Sequence, residues 1–374
     1  MTKLEQLIKE LCPDGVEIRS LENCCNILDR KRKPVTKSAR EAGEYPYYGA
    51  NGIQDYVSDY IFDGIFILVG EDGSVITSTG NPVVTWAEGK IWVNNHAHII
   101  EQNASGDVLL RYLFHYIQTI DVTPLIHGNI PKLTGGDFRA LQIPIPPLAV
   151  QREIVRILDN FTELTTELTT ELTARRKQYE YYRDALLTAS DNIEYQTLPE
   201  ISENLDRQRK PVTKGNREAG EYPYYGASGI VDYVSDYIFD GDYLLVSEDG
   251  ANLLARSTPI AFSISGKNWV NNHVHVLKFD TAIMQKYVEI YLNSIDLSKY
   301  ISGGAQPKLN QDNLNKIPIP VPPFNKVKII VAILEKFSAL CNDLTSGLPA
   351  EIEARKKQYE YYRDKLLTFQ EAKI

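Results

Sequence analysis

RKRKPVTKSAREAGEYPYYGANGIQDYVSDYIFDG, residues 30 to 64, returns at 207 to 241 as RQRKPVTKGNREAGEYPYYGASGIVDYVSDYIFDG, identical at 30 of 35 positions with an offset of 177. A second echo, ARRKQYEYYRD from Ala174, returns as ARKKQYEYYRD from Ala354, 180 positions on. Such a period exceeds the ~20 to 50 residues of a solenoid unit, so each copy is a domain in its own right, followed by a helical segment. Two domains of one kind on one chain imply two similar binding events.

With 374 residues, 43% of them hydrophobic and 24% charged, the chain can bury two ordinary cores, which excludes disorder. The N-terminal MTKLEQLIKELCPDG has no apolar leader, and no apolar run approaches the ~18 residues that span a bilayer, so a cytoplasmic protein is expected. Cys12, Cys24, Cys25 and Cys341 form no CxxC pair and do not recur between the copies, so reduced, structural thiols are expected.

The net charge of -9 argues at first against nucleic acid, whose non-specific binding is driven by positive charge. Distribution decides otherwise. Arg30, Lys31, Arg32, Lys33, Lys37 and Arg40 fall in one stretch without an acid, and Arg207, Arg209, Lys210, Lys214 and Arg217 repeat it. One such block is commonly a solvated face; two at equivalent places make basic grips on an acidic body.

Leu4, Leu7, Ile8 and Leu11 at helical spacing predict a helix over 2–11, stopped by Pro13. Strands are expected around 45–48, 53–57, 65–69 and 92–100, with Gly and Asp turns between them, and a helix over 107–120. IPIPP at 143–147 and IPIPVPP at 317–323 read as stiff extended straps. Beyond the first strap, Ile154, Leu158, Phe161, Leu164, Leu168, Leu172, Tyr179, Tyr182 and Leu186, with Arg175 counted on the same stripe, follow a mean period between 3.5 and 3.6, one long amphipathic helix built to pair with another. The second rod carries Val331, Leu334, Phe337, Leu340 and Leu344, and Gly347-Leu348-Pro349 predicts a break in it, with Ser346 as the candidate cap.

No phosphate cradle, nucleophile elbow, HExxH or paired-cysteine site occurs. A DNA methyltransferase would need a [DN]PP[YF]-type strand end and a glycine-rich cofactor loop, and both are missing. NNHAH (94–98) and NNHVH (271–275) would set two imidazoles on one strand face, but no carboxylate or cysteine obviously completes a metal site, so structural hydrogen bonding near a tight turn is expected. YPYYG beside each basic block could stack on bases, though buried tyrosine is the simpler reading, and GluAspGly (71–73, 248–250) reads as a turn capped by Asp.

Together the tandem domains, the RKQYEYYRD-type helix ends, the proline straps and the YYGANGIQDYV, EDG and WVNNHAH runs resemble the specificity subunit of type I restriction-modification systems, over nearly the whole chain and in order. The resemblance implies an α+β chain: two tandem α/β target recognition domains joined by two long antiparallel helices, a coiled-coil-like spacer, in pseudo-twofold symmetry. The boundaries are then an N-terminal helix at 1–13, the counterpart of the end of the first rod and expected to pack near the end of the C-terminal rod and complete the pseudo-symmetry, recognition domains at 14–148 and 191–323, and helical spacers at 149–190 and 324–374. It also implies a non-catalytic reader of double-stranded DNA. Each domain would bind half of a bipartite target, while the helices dock two methyltransferase subunits and, through them, restriction subunits.

No cofactor is expected on this chain; S-adenosylmethionine would belong to the methyltransferase partner, and ATP and Mg to a restriction partner. Leu164, Leu168, Leu172, Tyr179, Tyr182, Arg183, Tyr359, Tyr362 and Arg363 are the expected partner-facing residues. Residues 65–93 and 242–270 agree at only 10 of 29 positions, so base readout is expected there, with Ser74, Thr77 and Thr79 in the first domain and Asn252 and Arg256 in the second. The loop 127–133 against 302–309 adds His127, Lys132, Gln306 and Lys308, both lysines being assigned to phosphates. ThrGluLeuThr stands three times in a row from Thr162 to Thr173, and each unit is worth ~6 Å of helix rise and ~40° of rotation, a possible ruler for the half-site gap. Competing readings are a tyrosine-rich carbohydrate or surface-binding module and the recognition tail of a split restriction-methylation enzyme; the first has no use for docking helices and the second lacks its catalytic motifs.

Overall fold

The IFILV run at 65–69 alternates between two cores, which explains the layering of the first domain. Ile67 and Val69 point into one apolar cluster while Phe66 and Leu68 point into another, the period of two that a strand buried on both faces requires. In the computed structural model, residues 2–73, 75–188, 193–303 and 306–372 are described. The chain divides into two compact units, one of residues 1–169 with 351–374 and one of residues 170–350.

The first unit holds a six-stranded sheet in the order Cys25–Ile27, Ala97–Gln102, Phe62–Gly70, Val84–Val93, Ala42–Gly49, Gly52–Val57. Phe62–Gly70 pairs antiparallel with Val84–Val93 over eight positions, from Phe62↔Ile91 to Val69↔Val84, and the hairpin Ala42–Gly49/Gly52–Val57 joins through a short parallel pairing, Tyr47↔Trp92 and Tyr48↔Val93. The hairpin turns through Ala50 and Asn51, and Gly52, at φ +83°, supplies the left-handed residue such a turn needs. The larger core lies under the helix Leu110–Ile117, with Phe138, Ile143, Val150, Ile154 and Leu158 completing it.

Both chain ends meet in this unit. Lys3–Leu11 is capped by a Thr2–Glu5 capping box and contributes Leu4 to the core that also receives Leu367. Val16 donates its amide to the Gln370 carbonyl at 2.9 Å and accepts from Ala372 at 2.9 Å. Gly15 (φ +98°) makes this possible, because a Cβ there would lie 2.6 Å from the Gln370 oxygen.

The second unit repeats this topology with its long strands interrupted. Phe239–Asp240 and Tyr243–Ser247 stand where the first unit has one strand, as do Ala261–Ile264 and Lys267–Val270, so the sheet falls into two four-stranded pieces. The proline runs are not bare straps: Gln142–Ile145 pairs with Glu17–Ser20, and Ile319–Val321 with Glu194–Gln196, each a two-stranded ladder. Such a narrow ladder has two edges, where proline's missing donor does no harm.

Leu148–Thr188 is one unbroken helix of 41 residues, roughly 60 Å long. Thr162, Thr165, Thr166 and Thr169 return their hydroxyls to the carbonyls four residues back, which satisfies the hydroxyls within the helix without adding to its stability. The second rod does break: Phe324–Asn342 ends and Leu348–Leu366 begins anew. Asp343 organises the break rather than Ser346, its carboxylate accepting from the Thr345 amide and hydroxyl at 2.7 and 2.6 Å and from the Ser346 hydroxyl. All four cysteines are free and buried, and burial pushes the Cys24 thiol up to about 11. Among the described residues no helix is long and apolar enough to cross a membrane.

Candidate nucleic-acid interface

Each basic block is sorted into side chains that hold it down and side chains that leave it. Arg32, 11% exposed, donates from Nη1 to Glu71 Oε2 at 2.6 Å and to the Ala97 carbonyl at 2.6 Å, and from Nε to the Asp29 carbonyl at 2.9 Å. Arg40 donates to the Val35 carbonyl at 3.1 Å and to Asp55 at 3.2 Å while lying 4.1 Å over the Tyr47 ring. The buried Tyr47 hydroxyl accepts from the Val35 amide at 3.0 Å, and Trp92 Nε1 donates to the Lys33 carbonyl at 2.6 Å. Arg30, Lys31, Lys33 and Lys37 remain exposed, and their side chains join no ion pair or hydrogen bond among the described residues.

The second copy repeats the arrangement. Arg209 binds Glu248 at 2.7 Å, Arg217 reaches the Val212 carbonyl at 3.0 Å and Asp232 at 3.1 Å, Tyr224 receives the Val212 amide at 2.9 Å, and Trp269 Nε1 donates to the Lys210 carbonyl at 2.6 Å. Arg207, Lys210 and Lys214 are exposed. A backbone fixed at several points presents its cations with the backbone ordering cost already met, leaving only the side chains to be ordered on binding.

Beneath the block lies an ion-pair knot. His98 Nδ1 meets Asp29 Oδ2 at 2.7 Å and its Nε2 meets the Leu133 carbonyl at 3.0 Å; both partners only accept, so the ring must donate from both nitrogens to make both bonds. Glu71 joins Arg32 to Lys132, whose Nζ is 3.2 Å away, so one carboxylate ties the basic block to the 127–133 loop. His275, Asp206, Glu248, Arg209 and Lys308 repeat the knot, with His275 2.6 Å from Asp206, 2.8 Å from the Leu309 carbonyl, and Lys308 3.1 Å from Glu248. Burial alone would raise the Asp29 and Asp206 carboxyls, but the histidine hydrogen bond and charge, a backbone amide and the arginine hold both below the usual carboxylate range.

Carboxylates therefore do stand beside both histidines of each HxH pair, contrary to the sequence expectation. Asp29, Glu71 and His98 are close enough for a metal, as are Asp206, Glu248 and His275. The donor set argues against one: arginine and lysine already occupy the carboxylates, and both ring nitrogens are spent. The two histidines also part company. Asn94 Oδ1 accepts the His96 amide at 2.8 Å, ending the strand expected over 92–100 in a turn, so exposed His96 bonds Asp72 while His98 is buried in the following strand.

The remaining candidates scatter. Ser74 lies outside the described residues. Thr77 and Thr79 bond each other at 2.9 Å in an exposed turn, and exposed His127 stands 3.4 Å from Asp137. Asn252 staples its own loop to Thr258, and Arg256, at φ +51°, turns its guanidinium inward onto the Leu292 and Ile295 carbonyls at 3.4 and 3.0 Å. Gln306 and Lys308 are exposed.

Residues 13–175 and 190–354 match the Type I restriction modification DNA specificity domain family. The chain belongs to this family of specificity subunits. It is 37% identical to a putative type I restriction enzyme specificity subunit of Haemophilus influenzae, each chain covered over 98% of its length, and 34% identical to the EcoR124I/EcoR124II specificity subunit of Escherichia coli over 70% of this chain and 71% of that one. The type I S subunit of Mycoplasma genitalium shares the fold, with a TM-score of 0.59 and 17% identity over 94% of this chain and 96% of that one.

In this specificity subunit the helix residues expected to face partners divide in the same way as the basic block. Tyr359 donates or accepts at 3.0 Å with buried His115, and Tyr362 stacks on Phe161 at 5.4 Å, within the first unit. Tyr179 stacks on Phe337 at 6.2 Å, with Arg183 5.9 Å over the Tyr179 ring, in the second; Arg363 lies 5.8 Å over Tyr359. Leu164, Leu168 and Leu172 are half-buried. The tyrosines most open to solvent are Tyr181 and Tyr361, 70% and 62% exposed, which the period-based reading passed over because they lie off the stripe. The residues that build the knot and anchor the block were legible in another way: Asp29, Glu71, Trp92 and His98 all recur 177 positions on.

Proposed function

We propose that this specificity subunit is the DNA-reading, non-catalytic member of a type I restriction-modification complex, each domain gripping one half of a bipartite target through its exposed cations. The observation that carries the proposal is the duplicated platform: Arg30, Lys31, Lys33 and Lys37 in one copy and Arg207, Lys210 and Lys214 in the other, held outward by buried partners on a chain of net charge -9. Phosphate contacts of this kind fix position on the duplex without reading sequence. The exposed Tyr181 and Tyr361, with half-exposed Tyr182, are the proposed seats of the methyltransferase subunits, because exposed aromatics on a helix are rich contact surface. Mapping methylated adenine in the host genome with and without this chain tests the role. A two-part motif lost on deletion supports it; an unchanged methylation map removes it.

A further inference from the structure

Of the five positions at which residues 30–64 differ from 207–241, three (31, 38 and 39) fall in the basic segment, and the other two line one cavity. That cavity, of about 550 Å³ in the first domain, is walled by Asn51, Gln54, Asp72, His96, Ile130 and Lys132. Lys132 shares Glu71 with Arg32, so the cavity is tied through a single carboxylate to the segment that carries the exposed cations.

The six side chains fall into two sets when their repeat partners are compared. Asp72, His96 and Lys132 recur as Asp249, His273 and Lys308 with the same contacts: His273 meets Asp249 at 2.9 Å, and the 72–132 strand bridge recurs as 249–308. Asn51, Gln54 and Ile130 are replaced by Ser228, Val231 and Gln306. A fixed frame with changed lining is what two sites need if they dock on the same polymer and read different words on it.

The chemistry of the changed residues fits base edges. Asn51 makes no hydrogen bond among the described residues, and Gln54 Oε1 accepts from Asn94 Nδ2 at 3.3 Å, which leaves the Nε2 donors of Gln54 for a ligand. Carboxamides offer the paired donor and acceptor that match the major-groove edge of adenine. Val231, 52% exposed, offers an apolar surface of the kind that meets a thymine methyl, and Ile130, 69% exposed, does the same in the first domain.

We propose that Asn51, Gln54 and Ile130 form a base-reading subsite of the first domain, that Ser228, Val231 and Gln306 form its counterpart in the second, and that these positions set part of the difference between the two half-targets. This rests on the DNA-reading role proposed above. It moves readout from the 77–79 turn and the helix Asn252–Ala255 with Arg256 at its end, whose polar groups are bonded within the protein, to the tip of the hairpin and the loop facing it.

The test swaps the two lists. The full chain, co-purified with its methyltransferase partner, is challenged with a randomised double-stranded DNA library, and the recovered motif is compared among the parent, Asn51→Ser with Gln54→Val, and the reciprocal Ser228→Asn with Val231→Gln. Each new residue already occupies the same turn in the other copy, and a thermal melt reports whether the swapped chains fold. The first swap is expected to change base preference on the order of tenfold at one or two positions of one half-motif only, and the reciprocal swap in the other half only. Either swap alone suffices if its partner does not fold, and single substitutions at 51 or 54 stand in if neither does. Recovery of the parental motif by folded swapped chains overturns the subsite. A parent that recovers no bipartite motif instead overturns the DNA-reading role, a separate result.

Discussion

Arg32 and Lys33 adjoin in the chain and have opposite fates. A charge count cannot separate them, because the acids that claim Arg32 come from three residues before it and 39 after it, brought together by the sheet. The exposed half of the grip was therefore legible as a cluster, and the buried half only as repetition, in Asp29, Glu71 and His98 and their partners 177 positions on. Removing the negative charge of Asp29 leaves His98 and Arg32 buried without it, a loss of about 3 kcal/mol for a broken internal pair. The Asp29 carboxyl is held below its ordinary value in the fold, so its stabilisation is present above about pH 4 and lost as pH falls through the folded value. Asp29→Asn should thus unfold at lower denaturant than the parent at pH 7, with the gap narrowing below about pH 4. Equal midpoints at pH 7 would show that the knot contributes nothing. His115 adds a second acid-sensitive point: burial pushes its imidazole below the ordinary value despite the Asp159 contact, so the neutral ring is favoured in the fold and that preference becomes a cost as pH falls below about 6.5. His115→Gln should flatten the decline in melting temperature between pH 7 and pH 5.5, and an unaltered decline would place the acid sensitivity elsewhere.

Among the elements, periodicity gave the long helix Leu148–Thr188 and the interruption of the second rod, because leucine every fourth residue and a Gly-x-Pro step are local signals. The turn at 94–96 was legible only in part: Asn and His bonding near a tight turn was expected there, but the run 92–100 also alternates like a strand, and only the bond from the His96 amide to Asn94 shows where that strand stops. The broken sheet of the second unit was missed for a like reason: both copies carry YIFDG, yet only one continues through it as a single strand. The threonine-rich repeat allows an element-scale experiment. Deleting Thr166 to Thr169 keeps leucine every fourth residue and removes ~6 Å of rise and ~40° of turn between the flanking parts of one helix. Genome methylation by the shortened chain should show both half-motifs unchanged and the unread gap between them altered; the same gap from the shortened chain would end the idea of a helical ruler.

At the scale of the whole molecule, an acidic protein that binds DNA poses an electrostatic conflict that only placement resolves. The net charge of -9 gives no general attraction to a polyanion, so the counterions released on binding should track the few exposed cations of the two platforms. The repeat announced two domains because it is written linearly. That the first unit is discontinuous, with residues 351–374 packed at its N-terminal helix, rests on contacts such as Val16 with Gln370 and Leu4 with the Leu367 cluster; the repeat pointed to it, because the N-terminal helix stands before the first domain where the end of the first rod stands before the second. The charge argument gives a quantitative expectation. Each phosphate contact contributes ~0.9 to the slope of log affinity against log salt, so Lys33→Ala with Lys37→Ala should reduce that slope by roughly two. Lys210→Ala with Lys214→Ala should do the same, and the four together should remove about twice as much, because each pair lies on its own platform. Arg32→Ala is the informative contrast: it removes an internal partner of Glu71, so it should lower the melting temperature and affinity while leaving the slope within about one unit of the parent. Titrations of the intact complex across salt concentrations separate the two behaviours, and an unchanged slope in both lysine pairs would put the basic segments off the DNA and leave the acidic body without a grip.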